Sequence, residues 1–173
     1  MNHNIHNNED FLFVCNDENI SEIEQMNLKI REAVRCVLFD TDNNVAVLYS
    51  RAKNYWALPG GGIEKGETPE VATMREMREE AGCDSENLVC VGKTKEIRKD
   101  RELINISYAF KAYVVGEKGV SEFEEHEEIE DFVVEWHSID DVHKKIASVK
   151  TREQRHENIK QRDLAIIDAV RNN

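Results

Sequence analysis

One 23-residue stretch, GGIEKGETPEVATMREMREEAGC from Gly61 to Cys83, limits what this chain can fold into more than any other. It places a glycine-dense run directly before a helix with marked ends. Gly60, Gly61, Gly62 and Gly66 are half of the chain's eight glycines. Thr68 offers an N-cap oxygen, and Pro69 at the first helical position gives up only an N–H that would be unpaired there anyway. Gly82 supplies the left-handed residue that stops a helix. At about 100° per residue from Val71, Met74, Met77 and Ala81 fall near 240–300°, while Glu79, Glu76 and Glu80 fall near 80–180°. One side is therefore apolar. The opposite side carries three carboxylates one turn apart, which repel one another unless a cation is present. Oxygen-only donors suit hard divalent ions, so Mg²⁺ or Mn²⁺ is expected rather than zinc. The glycines let backbone approach a ligand closely. Together these parts suit metal-assisted attack of water on a phosphoryl group.

The rest of the chain bounds the setting. Its 173 residues suit one ordinary domain with a short appendage. Lys+Arg is 23 against Asp+Glu 35, a net charge of −12, so general nucleic-acid binding is not expected. No apolar run of about 18 residues could span a membrane. Cys15, Cys36, Cys83 and Cys90 lack C-x-x-C spacing and read as reduced, mostly buried thiols. The polar start, Met1–Asp10 with His3 and His6, has no signal-peptide pattern and reads as a tail, so a cytoplasmic location is expected.

Strands are expected at Phe11–Cys15, Val34–Phe39, Val45–Tyr49, Leu88–Ile97, Ile104–Val115 and Phe132–Trp136. The second and third read as a hairpin closed by the Asp/Asn cluster at 40–44. Ser138-Ile-Asp-Asp141 and Thr151-Arg-Glu-Gln154 read as capping boxes opening helices near 140–148 and 152–171. The last would bury Ile159, Ile166, Ile167 and Val170 and leave Arg152, Arg155, Lys160, Arg162 and Arg171 solvated, or facing a second copy in a homodimer. The order of strands, helix, strands and helices reads as α+β, with residues 1–28 an extension and 29–173 a single domain.

The 61–83 stretch resembles the Nudix box, G-x5-E-x7-R-E-U-x-E-E-x-G-U, where U is usually aliphatic. Its seven fixed positions are met by Gly61, Glu67, Arg75, Glu76, Glu79, Glu80 and Gly82, with Met77 and Cys83 at the U positions. A chance match at ordinary residue frequencies is below roughly one in ten thousand. Trp56-Ala-Leu-Pro-Gly-Gly61 also resembles the family's lead-in. The resemblance implies an α/β/α sandwich, a mixed sheet flanked by helices, over about Lys29–Val149. It implies divalent cations held by Glu76, Glu79 and Glu80 with the Gly60 carbonyl, and support of the site from Gly61, Glu67, Arg75 and Gly82. It implies hydrolysis between phosphates of a nucleoside diphosphate linked to another group, a small nucleotide-type substrate. The general base would be Glu76, Glu79 or a glutamate of the acidic segment 121–129, with Glu128 first, then Glu125; His126 is a weaker choice. Arg51, Tyr55 and Trp56 before the glycine loop, and Arg98, Arg101, Tyr108 and Phe110 after the box, could fork a phosphate or stack a base, with Arg51, Trp56, Arg98 and Tyr108 the first choices. With Pro59 and Pro69 its only prolines, the chain lacks the downstream prolines that mark the family's NADH and ADP-ribose hydrolases. Two other readings stay open: a non-catalytic nucleotide sensor, and an isopentenyl-diphosphate-type isomerase, which would need a reactive cysteine.

Overall fold

The computed structural model describes residues 10–16, 18–123 and 130–172. Among the described residues seven strands, β1 (Phe13–Cys15), β2 (Lys29–Phe39), β3 (Asn44–Ser50), β4 (Tyr55–Ala57), β5 (Asp84–Arg98), β6 (Leu103–Val115) and β7 (Phe132–Ser138), form one mixed sheet. The helices are α1 (Glu22–Gln25), α2 (Pro69–Ala81), α3 (Ile139–Ala147) and α4 (Gln154–Arg171), with a 3₁₀ turn at Lys99–Arg101. The strand order is β1-β5-β6-β2-β3-β4, with β7 added on β3. β1 runs parallel to β5 and β2 parallel to β6; the other pairings are antiparallel. This is the expected α+β sandwich.

Alternation along β2 sorts its residues onto two faces. Val34, Cys36 and Leu38 pack with Ala72, Met77 and Ala81 of α2. Val37 packs on the other face with Val142 and Ile146 of α3 and Ile166, Ile167 and Val170 of α4. Cys36 and Cys83 are buried in the α2 layer, and burial raises both thiols above their ordinary pKa. Among the described helices none is long and apolar enough to cross a membrane.

The hairpin expected between β2 and β3 is mostly absent. They pair only at Phe39↔Val45, because Asp40 caps the turn through the N–H groups of Asp42 and Asn44 and the strands then diverge. The freed edge of β2 is taken by the glycine segment instead. Val34 N–H donates to Gly61 O at 2.9 Å, Cys36 N–H to Pro59 O at 3.0 Å, and Ile63 N–H to Glu32 O at 3.1 Å. Three details also differ from the sequence expectation. α1 and β4 join the elements. Ser21 and Glu24 form a capping box on α1. The Thr151 box fails: its hydroxyl accepts from Glu153 N–H, and α4 starts at Gln154.

Candidate active site

α2 forms where local chemistry places it. Thr68 Oγ1 accepts from Val71 N–H, and Gly82 ends the helix at φ +64°. The Gly82 and Cys83 N–H groups satisfy the carbonyls of Arg78 and Met77. The acidic face does not look into solvent. Glu76 and Glu80 are 6% and 3% exposed, because the glycine segment folds onto them. Gly60 N–H donates to Glu80 Oε2. A Cβ on Gly61 would lie 2.6 Å from Glu76 Cδ and Oε2. The close approach that the glycines permit is thus, first, to the carboxylates of the helix itself.

Arg75 organises the cluster. Its Nε donates to Glu67 Oε1 at 2.9 Å, Nη2 to Gly62 O at 2.7 Å, and Nη1 bridges Glu76 Oε1 at 2.7 Å and Glu79 Oε2 at 2.9 Å. The Glu67 bond, with help from Glu76 and Glu79, raises Arg75 beyond the ordinary guanidinium range. The same bond lowers Glu67. Burial raises Glu76 in spite of Arg75.

Among the described residues the acids do not converge into a ready metal cage. Arg75 stands between Glu76 and Glu79, and Glu80 is turned to Gly60. The donors nonetheless fit a hard divalent ion in kind: three helical carboxylates beside a glycine segment whose backbone reaches them. The Gly60 carbonyl accepts from the Arg35 guanidinium.

A cleft of about 450 Å³ opens on this cluster, between the sheet and α4. β2 contributes Arg31 and Arg35, α2 contributes Arg75 and Glu76, and Arg98 and Arg101 stand beyond them. Arg155, Asn158 and Arg162 close it from α4. Arg162, expected to be solvated, is 3% exposed. Its Nε donates to Asp163 Oδ1 at 2.8 Å, and Nη1 is 3.6 Å from Glu96 Oε2. Burial lowers Arg162, but Asp163 and Glu96 outweigh it and leave the group raised. Burial and Arg162 push Arg35 down to about 10, which leaves it cationic at neutral pH. Asp163, fully buried, accepts from Leu58 N–H at 2.8 Å and so ties α4 to the lead-in of the glycine segment.

Of the residues read as substrate contacts, Arg98 and Arg101 line this cleft, and Arg98 pairs with Asp100. Arg51 makes a two-bond ion pair with Asp131 on the surface. Trp56 stacks on Tyr49 under Lys145. Tyr108 packs on the α2 face and donates to Glu32. Glu125, His126 and Glu128 lie outside the described residues. The chain leading to them is tied to the end of α2, by Gly119 N–H to Gly82 O and Glu122 N–H to Glu79 O.

Comparison with known proteins gives this arrangement its family. A family model, the NUDIX domain, matches residues 29–160. The RNA pyrophosphohydrolase of Zymomonas mobilis is 38% identical over 72 residues, 40% of this chain and 46% of that protein. The chain therefore spans about half the length of that relative, and of a similar one from Rickettsia rickettsii. An uncharacterised Nudix hydrolase of Bacillus subtilis is 30% identical over 116 residues, 65% of this chain and 69% of that one. A NUDIX hydrolase structure from Nitrosomonas europaea superposes with a TM-score of 0.62 at 20% identity, over 83% of this chain and 90% of that one. The fold, the box and the family match lead to one assignment: this chain belongs to the Nudix hydrolase family.

Proposed function

We propose that the chain hydrolyses a phosphoanhydride bond in a nucleoside diphosphate linked to a further group. The expected substrates are a nucleoside triphosphate or a nucleotide-linked diphosphate. The products are a nucleotide and a phosphorylated or pyrophosphate fragment. One observation carries the reading: the carboxylates of α2, the glycine segment laid on them and the arginine-lined cleft meet at a single point. Relatives named as RNA pyrophosphohydrolases support pyrophosphate as the reacting group.

Nudix hydrolases generally use divalent metals, and Glu76, Glu79 and Glu80 would hold Mg²⁺ or Mn²⁺ here. Such an ion, when bound, neutralises phosphate charge and acidifies water. Arg75 holds Glu76 and Glu79 in register, and Glu67 braces Arg75. Water adds to phosphorus, its proton passes to a carboxylate (Glu76, Glu79 or a glutamate such as Glu128), and the anhydride P–O bond breaks. The leaving phosphate takes the electron pair. Cleft arginines receive the negative charge on the substrate's far side.

The test is a panel of nucleoside triphosphates and nucleotide-linked diphosphates with products resolved by mass, in Mg²⁺, in Mn²⁺ and in chelator. We expect two phosphorus-bearing products from at least one compound, loss of activity in chelator and return on adding metal. No cleavage of any anhydride with metal present would overturn the proposal. A product of unchanged phosphorus content would point to isomerase chemistry instead.

A further inference from the structure

The cleft holds more arginine than a scissile diphosphate needs. Seven of the chain's eleven arginines line it and none of its twelve lysines does. Charge alone would not select between the two. Guanidinium forks match phosphate oxygens in pairs, whereas ammonium groups act as point charges. This concentration stands in a chain of net charge −12, so the cleft is a local exception to the overall field.

The arginines divide into two sets. Arg75 is committed to the α2 carboxylates, and Arg162 to Asp163 and Glu96. Arg98 is held by two hydrogen bonds to Asp100, and the remaining four are less committed. Arg31 donates to Asn105 Oδ1 at 2.8 Å, and neither it nor Arg101 has an ion pair among the described residues. Arg155 comes no nearer than 3.9 Å to Glu130. Arg35 donates to two backbone carbonyls, while its Nε is buried without a hydrogen-bond partner, a costly state unless an acceptor arrives.

The remaining lining decides what kind of group would enter. Ile63, Leu103 and Ile159 supply its apolar area, and no aromatic ring lines it among the described residues. No aromatic face is there to stack a base, which is the ordinary means of holding one. A volume of about 450 Å³ suits one nucleotide-sized group. We propose that the substrate carries at least one phosphate beyond its scissile pyrophosphate, and that Arg31, Arg101 and Arg155 at the cleft mouth read it. That phosphate is either a monoester on the sugar of a small nucleotide or the next phosphodiester of a 5′-phosphorylated RNA. The inference rests on the hydrolase reading above.

Matched pairs test it. Dephospho-coenzyme A is compared with coenzyme A, guanosine 5′-diphosphate with guanosine 5′-diphosphate 3′-monophosphate, and adenosine triphosphate with a 5′-triphosphorylated trinucleotide. In at least one pair, kcat/KM is expected to be at least tenfold higher for the member with the extra phosphate, with most of the gain in KM. The pair that shows it separates a sugar monoester from an RNA chain. The double variant Arg31→Gln, Arg101→Gln should bring that ratio close to one. Both residues are exposed, and a melting curve checks the fold. Equal rates within every pair would overturn this inference and leave the hydrolase reading standing. A preference untouched by the double variant would overturn the assignment to these arginines. Cleavage of no member of any pair would overturn this inference, while the wider panel above decides the hydrolase reading.

Discussion

Gly61→Ala separates catalysis from folding in a way the geometry makes quantitative. The added Cβ would sit 2.6 Å from Glu76 Cδ and Oε2. Ordinary carbon contacts begin at about 3.5 Å, so about 1 Å must be found. The backbone cannot supply it, because Gly61 O is bonded to Val34 N–H on β2. The Glu76 carboxylate, at the end of a flexible side chain, moves instead. Re-seating one rotamer costs about 0.5–1.5 kcal/mol, or about 1–6 °C in Tm for a chain of this size. A 1 Å displacement of a catalytic group costs about 100-fold in turnover, which is about 2.7 kcal/mol. Gly60→Ala is the contrast. Gly60 has φ +137°, and its Cβ would lie 2.9 Å from Arg35 Cα and Val34 C, all backbone. That variant should lose about 3 kcal/mol of stability or more. Steady-state hydrolysis of the substrate found in the panel, beside thermal melts of both variants, reads the difference. Turnover of Gly61→Ala within threefold of the parent would refute the reasoning, as would a stability loss equal to that of Gly60→Ala.

Three further outcomes follow from the same contacts. Glu79→Gln should lower kcat by about 100-fold or more, because it removes a charged donor beside Glu76. Its side chain is 34% exposed, so the melting temperature should hold within about 2 °C; normal turnover would defeat the ligand assignment. Cys83→Ser should cost about 1 kcal/mol in a urea melt and leave kcat at saturating substrate unchanged, since Cys83 is 1% exposed and packed with Met77; a selective loss of rate would revive thiol chemistry. Glu67→Gln should remove a stabilisation with a defined pH window. Arg75 lowers Glu67 below its ordinary 4.5 in the folded state. The parent's advantage should therefore be full above about pH 4.5 and fade as pH falls through the lowered value. Urea melts from pH 3 to 7 read it, and a constant difference would refute it.

What could be read in advance was what short-range chemistry fixes. Thr68-Pro69 and Gly82 set both ends of α2, and the Asp40–Asn44 turn closed where its side chains predict. The box glutamates were legible as a set. Their surroundings were not, because a helical wheel reports which residues share a side and says nothing of what lies against it. The cleft was the larger omission. Arg31 and Arg35 meet Arg155 and Arg162 only through the parallel β2–β6 pairing and the return of α4, contacts far apart in sequence. Two traces existed: an arginine amid the apolar run Val34-Arg35-Cys36-Val37, and the Arg162-Asp163 pair inside a stripe of buried isoleucines. Net charge gave no hint of the cleft, since a sum over the chain is silent about where its cations gather.

The glycine segment also acts as a guard for the sheet. Where β3 leaves β2, the N–H groups of Val34 and Cys36 would otherwise form an open template for another chain's strand. Pro59 and Gly61 cover both. A lesion that lifts this segment would therefore strip the protein of solubility as well as turnover, and inactive variants at Gly60 should be sought first in the insoluble fraction.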